Sequence, residues 1–262
     1  HINMKNHILI FSIISVIAIL SSCSHTYYAP NTVPTPHLMD KNNAEIRGTL
    51  VFPVGQSSDF NAYEGSATYS PMKHLAVQSN ILYGSASSST GKNSGSIIDV
   101  AVGGYLPKNL NPSDPNPTKI EELSLATFVG TSFGSITNTY DTIGIVKSNL
   151  KFQKYFCSLS ASYIVQRFKL GFGLRFNQLN FKSSSVTNGS IPFEELRKIK
   201  NIEAKSNFFY PEMSLNIGLN FKKMYLTWGI TRSYFKDVSL YNFNNSNMYL
   251  SLGFKIHEFF KK

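Results

Sequence analysis

Phe209-Tyr210-Pro211-Glu212-Met213-Ser214-Leu215-Asn216-Ile217-Gly218-Leu219-Asn220-Phe221 is the stretch that decides the architecture of this chain. One parity reads Phe, Pro, Met, Leu, Ile, Leu, Phe; the other reads Tyr, Glu, Ser, Asn, Gly, Asn. Successive side chains of a β-strand point to opposite faces, so this run is a strand with one apolar and one polar face. A helix would scatter the same residues around its circumference.

The pattern repeats outward in both directions. Leu170, Phe172, Leu174 and Phe176 alternate with Gly171, Gly173, Arg175 and Asn177. Met224, Leu226, Trp228 and Ile230 alternate with Tyr225, Thr227, Gly229 and Thr231, and the same rhythm holds over 248–256 and 98–106. Weaker versions cover 44–52, 63–69, 75–83, 123–133 and 155–165. The fold expected is all-β, a closed antiparallel up-and-down β-barrel of about ten strands (8–12), since an even count and runs of about 9–11 residues suit membrane strands. Connections support this. Residues 70–73, 166–169 and 222–223 are tight, whereas 53–60, 86–96, 137–148, 183–207 and 236–247 are long and polar. Short turns on one side and long loops on the other are the habit of outer-membrane barrels. The Pro- and Asn-rich stretch 107–120 breaks the rhythm and reads as an insertion in a turn on the periplasmic side.

Charged residues are only 15% of the 262 and aromatics are 13%, a low charge density for a water-soluble chain, where about a quarter is usual. Beyond the N-terminus no run of 18 apolar residues exists to form a membrane helix. Met4-Lys5-Asn6-His7 is a short basic start, with residues 1–3 upstream of it, and an apolar core over 8–20 has the length of a signal-peptide core. It runs into Leu20-Ser21-Ser22-Cys23, the aliphatic, small, small, Cys order of a lipobox. Small residues suit a signal peptidase groove, and only the Cys23 thiol can take a diacylglyceryl group. The expected organisation is a signal peptide over 1–22, a lipidated Cys23 with a short extended periplasmic tether over 23–43, and a barrel over 44–262. The tether, with Pro30, Pro34 and Pro36, has no periodicity. With an even strand count, both termini are expected on the periplasmic side of the outer membrane. Cys157 then has no disulfide partner and reads as a half-buried wall residue.

If the apolar parity faces lipid, the lumen receives Glu45, Arg47, Glu64, Asp99, Lys154, Arg175, Glu212 and Lys255. A ten-strand barrel is narrow and unpaired buried charge is costly, so these are expected to pair across a side-chain-filled lumen with no open pore. Tyr69, Tyr83, Tyr105, Tyr163 and Tyr210 fall near strand ends, where an aromatic girdle belongs. The opposite parity would make a lipocalin-like carrier with an apolar cavity.

The formal net charge is +10, with bases concentrated after Lys151 and around Arg197-Lys198-Ile199-Lys200. Outer-membrane lipid, including anionic glycolipid met by basic loops, is the partner this suggests. Nucleic-acid binding would need a basic module with interleaved aromatics, which is not there. Residues 192–199 could form a short helix in the longest loop.

Cys23-Ser24-His25-Thr26-Tyr27-Tyr28-Ala29-Pro30-Asn31 resembles the start of outer-membrane β-barrel lipoproteins of Bacteroidota, in which a Tyr-x-Pro-Asn segment closely follows the acylated Cys. Lys41-Asn42-Asn43-Ala44-Glu45-Ile46, leading into the first strand, is similar too. The resemblance spans the chain from Cys23 onward, with specificity only in its N-terminal motif. It implies location and fold, with Pro30-Asn31 packing against the periplasmic end of the barrel, and no established activity.

No catalytic, metal or cofactor assignment follows from the residues. After the tether the only histidines are His74 and His257, both expected at the periplasmic rim in structural roles. No His/Cys cluster has metal-ligand spacing. The reading is a non-enzymatic lipoprotein barrel with an envelope-structural or loop-mediated binding role. A narrow pore, a carrier of a hydrophobic ligand, or a lipid-modifying enzyme with Ser, His and acid converging at one rim are the alternatives.

Overall fold

The computed structural model describes residues 28–54, 61–88, 91–110, 121–142, 144–186, 193–236, 241 and 243–260. Among them are ten strands: β1 (Ala44–Pro53), β2 (Asn61–Met72), β3 (Leu75–Ser88), β4 (Gly91–Asn109), β5 (Glu121–Thr142), β6 (Gly144–Val165), β7 (Phe168–Val186), β8 (Asn207–Asn220), β9 (Met224–Ser233) and β10 (Ser246–Lys255). Each pairs antiparallel with its neighbours in sequence, and β1 pairs with β10 from Glu45↔Lys255 to Pro53↔Asn247, closing the barrel. The all-β up-and-down barrel expected from alternation is the fold, strand for strand. Helix α1 (Phe193–Ala204) lies between β7 and β8, and α2 (His257–Phe260) follows β10.

Alternation decides what each face meets. Ile46, Leu50 and Phe52 on β1, Leu215, Ile217 and Leu219 on β8, and Leu226, Trp228 and Ile230 on β9 are exposed on the outside. Their neighbours Glu45, Arg47, Thr49, Ser214, Asn216, Tyr225, Thr227 and Thr231 are buried inside. An apolar exterior repeated on every strand is stable only where hydrocarbon surrounds it. The inward-apolar, lipocalin-like arrangement is therefore not the one adopted.

The two ends differ. At one, which we call the turn end, β2–β3, β6–β7 and β8–β9 are joined by two or three residues, and His74 (φ 67°) and Gln166 (φ 54°) take the left-handed conformation these turns need. At the other, the loop end, lie α1, the β9–β10 connection and a tall hairpin of β5 and β6, 22 residues each. Residues 86–96 and 137–148, expected as loops, are largely strand, with pairings such as Ser94↔Thr137 and Asn138↔Ser148. Above the apolar belt both faces of a strand meet polar surroundings, so alternation vanishes while the backbone ladder continues. Most of the 107–120 insertion lies outside the described residues, although 107–109 complete β4.

Three other expectations are corrected. Tyr105 and Tyr210 are buried inside, because they share parity with Asp99 and Glu212; Tyr69 and Tyr83 are exposed, and Tyr163 is half-buried. Cys157 is exposed on the outer face of β6. Residues 28–38, part of the 23–43 stretch expected as a periplasmic tether, run inside the barrel, and 40–42 are exposed at the turn end.

Candidate functional site

The strap formed by residues 28–38 fills the lumen: Tyr28, Asn31, Thr32, Val33, Thr35, His37 and Leu38 are each at most 5% exposed. Its contacts descend in order from the loop end to the turn end. The carbonyl of Tyr28 accepts the amide of Asn244 (2.8 Å), and Tyr28 bridges Phe243 just before β10. The carbonyl of Pro30 accepts Asn247 Nδ2 (2.6 Å). Asn31 and Thr32 meet the mid-lumen charges, Thr35 Oγ1 accepts Asn216 Nδ2 (3.1 Å), and the His37 amide donates to Glu45 (3.2 Å) at the foot of β1. The Leu38 amide donates to Ser124 Oγ (3.3 Å), and Asn43 Oδ1 receives the amides of Met39 and Asp40, both at 2.8 Å.

The composition that looked like a solvated tether suits this course. A strap without a sheet partner must find a bond for every buried N–H, and Pro30, Pro34 and Pro36 have none to satisfy. Their fixed φ also lowers the ordering cost, about 1–2 kcal/mol per residue for ordinary backbone. The wall makes room: a Cβ added to Gly173 would lie 2.8 Å from Val33 Cγ1, and one on Gly171 would lie 2.5 Å from Thr35 Oγ1.

The eight charges expected in the lumen are all buried there, at 9% exposure or less. Six assemble around the strap. Arg47 pairs with Glu64 (3.2 Å), and Arg175 lies 3.5 Å from both Asp99 and Glu212. Lys154 Nζ donates to Asn31 Oδ1 (3.0 Å). The strap completes this network. Asn31 accepts from Arg175 Nη1 (2.9 Å) and donates through Nδ2 to Asp99. Thr32 donates its amide (2.8 Å) and its hydroxyl to Glu64, while its carbonyl accepts Arg175 Nη2 (3.1 Å). Three acids and three bases balance, which is what makes so dry a cluster tolerable. Glu45 and Lys255 instead sit at the turn end as cross-strand partners. A lumen cavity bordered by Thr35, Glu45, Arg47, Lys169 and Asn216 has a volume of about 10 Å³, room for roughly one water.

Toward the loop end the strap enters an aromatic cluster. Tyr28 packs edge-on against Phe235 (5.4 Å), Tyr210 (5.7 Å), Phe152 (5.8 Å) and Phe243 (6.1 Å), and its hydroxyl donates to Glu212 (3.0 Å). Helix α1 buries Ile199 and Ile202 in the same cluster and leaves Arg197 paired with Glu194 (2.6 Å) at the surface. The helix expected near 192–199 thus exists, running five residues further, to Ala204.

Sequence reasoning missed Lys169, Glu122 and His37. Lys169 is 1% exposed with Nζ 3.7 Å above the Tyr225 ring. It shares parity with Gly171 and Arg175, a signal hidden by counting it in the turn. His37 Nε2 lies 2.9 Å from Glu122. His74 Nδ1 contacts the Tyr105 carbonyl (3.0 Å) and His257 Nδ1 the Ala44 backbone amide (3.2 Å), both at the turn end. Among the described residues no group of three or more His, Cys, Asp or Glu is placed to hold a metal. Leu20, Ser21, Ser22 and Cys23 lie outside the described residues.

No family model and no curated protein matches the chain. Among solved structures it is similar to the outer membrane protease OmpT from Escherichia coli, with 12% identity, a TM-score of 0.41 and coverage of 85% of this chain and 100% of that one. It is also similar to LpxR from Salmonella typhimurium, with 6% identity, a TM-score of 0.37 and coverage of 80% and 99%. Likeness of this degree concerns the course of the barrel and extends to no side chain.

Proposed function

We propose that this chain is an outer-membrane lipoprotein, acylated at Cys23, whose barrel is sealed by its own strap and which acts without catalysis, as an envelope-structural element or by binding at its loop end. The observation that carries this is the burial of the strap, all but Ala29, inside a polar lumen. A conduit or a carrier needs free volume along its axis, and here that axis is protein. The apolar exterior supports a membrane location, since a barrel crosses with strands and needs no apolar helix. The lipobox motif supports acylation. The absence of catalysis is favoured by how the histidines are engaged: His37 faces Glu122, while the Ser124 hydroxyl donates to the Leu38 carbonyl (3.0 Å). Lys200 on α1 and Lys151 on β6 are exposed towards the loop end, where they can meet lipid phosphate or anionic glycolipid.

The test is reconstitution of the purified full chain in planar bilayers and in liposomes of outer-membrane lipid. The expected results are no conductance steps and no lipid product. Sustained steps would overturn the sealed lumen, and a hydrolysed or transferred acyl chain would overturn the non-enzymatic role. Retention in the outer membrane after carbonate washing, with migration altered by heating, checks the location.

A further inference from the structure

The upstream end of the strap and helix α2 lie at opposite ends of the barrel. Tyr28 is bonded to residues 243–244 ahead of β10, and packs on Phe152, which precedes Tyr155, the exposed tyrosine of β6 nearest the loop end. Lys151, one residue further toward that end, is already an exposed cation. Tyr28 is therefore at or above the loop-end edge of the apolar belt. Helix α2, by contrast, begins with His257 against Ala44 at the turn end. Within the described chain, the aperiodic segment before β1 passes through the lumen, so Tyr28 and helix α2 lie at opposite ends of the barrel.

Chain length then limits where an anchor can lie. Five peptide steps separate Cys23 from Tyr28. Fully extended, they span about 17 Å, less than the roughly 25 Å apolar band of an outer-membrane barrel. An acyl group on Cys23 cannot reach back to the turn-end leaflet. Short turns face the periplasm and long loops the exterior in such barrels.

Resting on the lipoprotein reading above, we propose that the strap carries the chain through the membrane inside its own barrel, so that the acylated Cys23 is presented on the cell-surface side, in the outer leaflet beside the loops. The strap is covalently continuous with β1, and the β1–β10 seam closes around it. The anchor must therefore pass to the loop end before that seam forms, and afterwards lipid and barrel hold the strap at both ends.

Single-cysteine labelling of the full chain in cells of a two-membrane bacterium tests this. In a Cys157→Ser background, Thr26→Cys, Lys200→Cys on α1 and Lys222→Cys in the β8–β9 turn are each treated with a membrane-impermeant maleimide. We expect Thr26→Cys to label in intact cells to the same extent as Lys200→Cys, with no gain on permeabilising the outer membrane, and Lys222→Cys to label only after it. Thr26→Cys behaving like Lys222→Cys would overturn the threading while leaving the lipoprotein reading intact. Mass spectrometry of the same preparations reads the acyl chains on Cys23. Their absence would overturn the lipoprotein reading, and with it the surface anchor, whatever Thr26→Cys does.

Discussion

Arg175 and Asn31, 144 positions apart in sequence, meet at 2.9 Å in the middle of the lumen, where the guanidinium donates to the amide carbonyl. The same oxygen accepts Lys154 at 3.0 Å, and the amide nitrogen serves Asp99. One neutral side chain from the strap thus joins two cations and an anion contributed by three strands. Asn31→Leu leaves those groups short of a partner in a dry site, at about 1–3 kcal/mol for each group left unpaired. Asn31→Asp is expected to destabilise as well, despite its equal size, because a fourth acid upsets the balance of three acids and three bases. The urea dependence of heat-modifiable migration measures both. Unchanged midpoints would show that the strap is a passenger in the lumen. An Asn31→Leu, Arg175→Met cycle is expected to give strongly non-additive losses, as partners in one network do.

Gly173 and Val33 are fitted to one another. A methyl at Gly173 falls 2.8 Å from Val33 Cγ1, closer than packed carbons sit, and Val33 is fully buried with nowhere to retreat. Gly173→Ala should cost about 1–3 kcal/mol by overpacking. Val33→Ala alone opens a small cavity and costs stability too. The double variant is expected to be more stable than the sum of the two losses allows, which the same unfolding assay reads. Simple additivity would mean that the strap does not lie against β7 in the membrane.

Strand positions and faces were legible because a barrel wall between lipid and a polar interior writes period two into every strand, as Phe209 to Phe221 and Leu170 to Asn177 do. Parity alone placed Glu45, Arg47, Glu64, Asp99, Lys154, Arg175, Glu212 and Lys255 inside. The strap was not legible. An aperiodic, Pro-rich stretch has the same composition whether water or a lumen surrounds it, since neither partner repeats. Its trace was in the wall, as the paired glycines Gly171 and Gly173 and as inward carboxylates with more acceptor sites than Arg47 and Arg175 can fill. Those marks gain meaning only once register is known. The polar tops of β4, β5 and β6 were lost for a related reason, because alternation reports a difference between faces and there is none above the belt.

Tyr28 separates the aromatic cluster from the ion network. Tyr28→Phe keeps the ring against Phe152, Tyr210, Phe235 and Phe243 and removes the donor to Glu212, which keeps Ser233 (3.0 Å) and Arg175 (3.5 Å), and a long acceptor for Lys154 Nζ (3.5 Å), which keeps Asn31 (3.0 Å). A loss near 1 kcal/mol is expected. Tyr28→Ala empties the centre of the cluster and should cost about 3–5 kcal/mol, as large aromatic truncations do. Equal effects of the two substitutions would assign the stability to the hydroxyl and leave the aromatic mouth without a role.

Thr32 and Glu64 offer a way to loosen the strap without touching the barrel seam. Glu64 holds Thr32 through both its amide and its hydroxyl while pairing with Arg47. Thr32→Val combined with Glu64→Gln removes the hydroxyl bond and weakens the charged anchor, yet leaves every backbone pairing of β1, β2 and β10 in place. In planar bilayers this variant is expected to show brief conductance steps where the parent is silent, because the axis is blocked by residues 28–38 and a strap that lets go exposes a polar lumen. With acids and bases balanced around that axis, the steps should discriminate weakly between cations and anions. A variant that loses stability but stays silent would mean that wall side chains such as Tyr249, Tyr225 and Lys169 close the lumen by themselves. The strap would then serve to carry the chain to the loop end and not to seal the barrel.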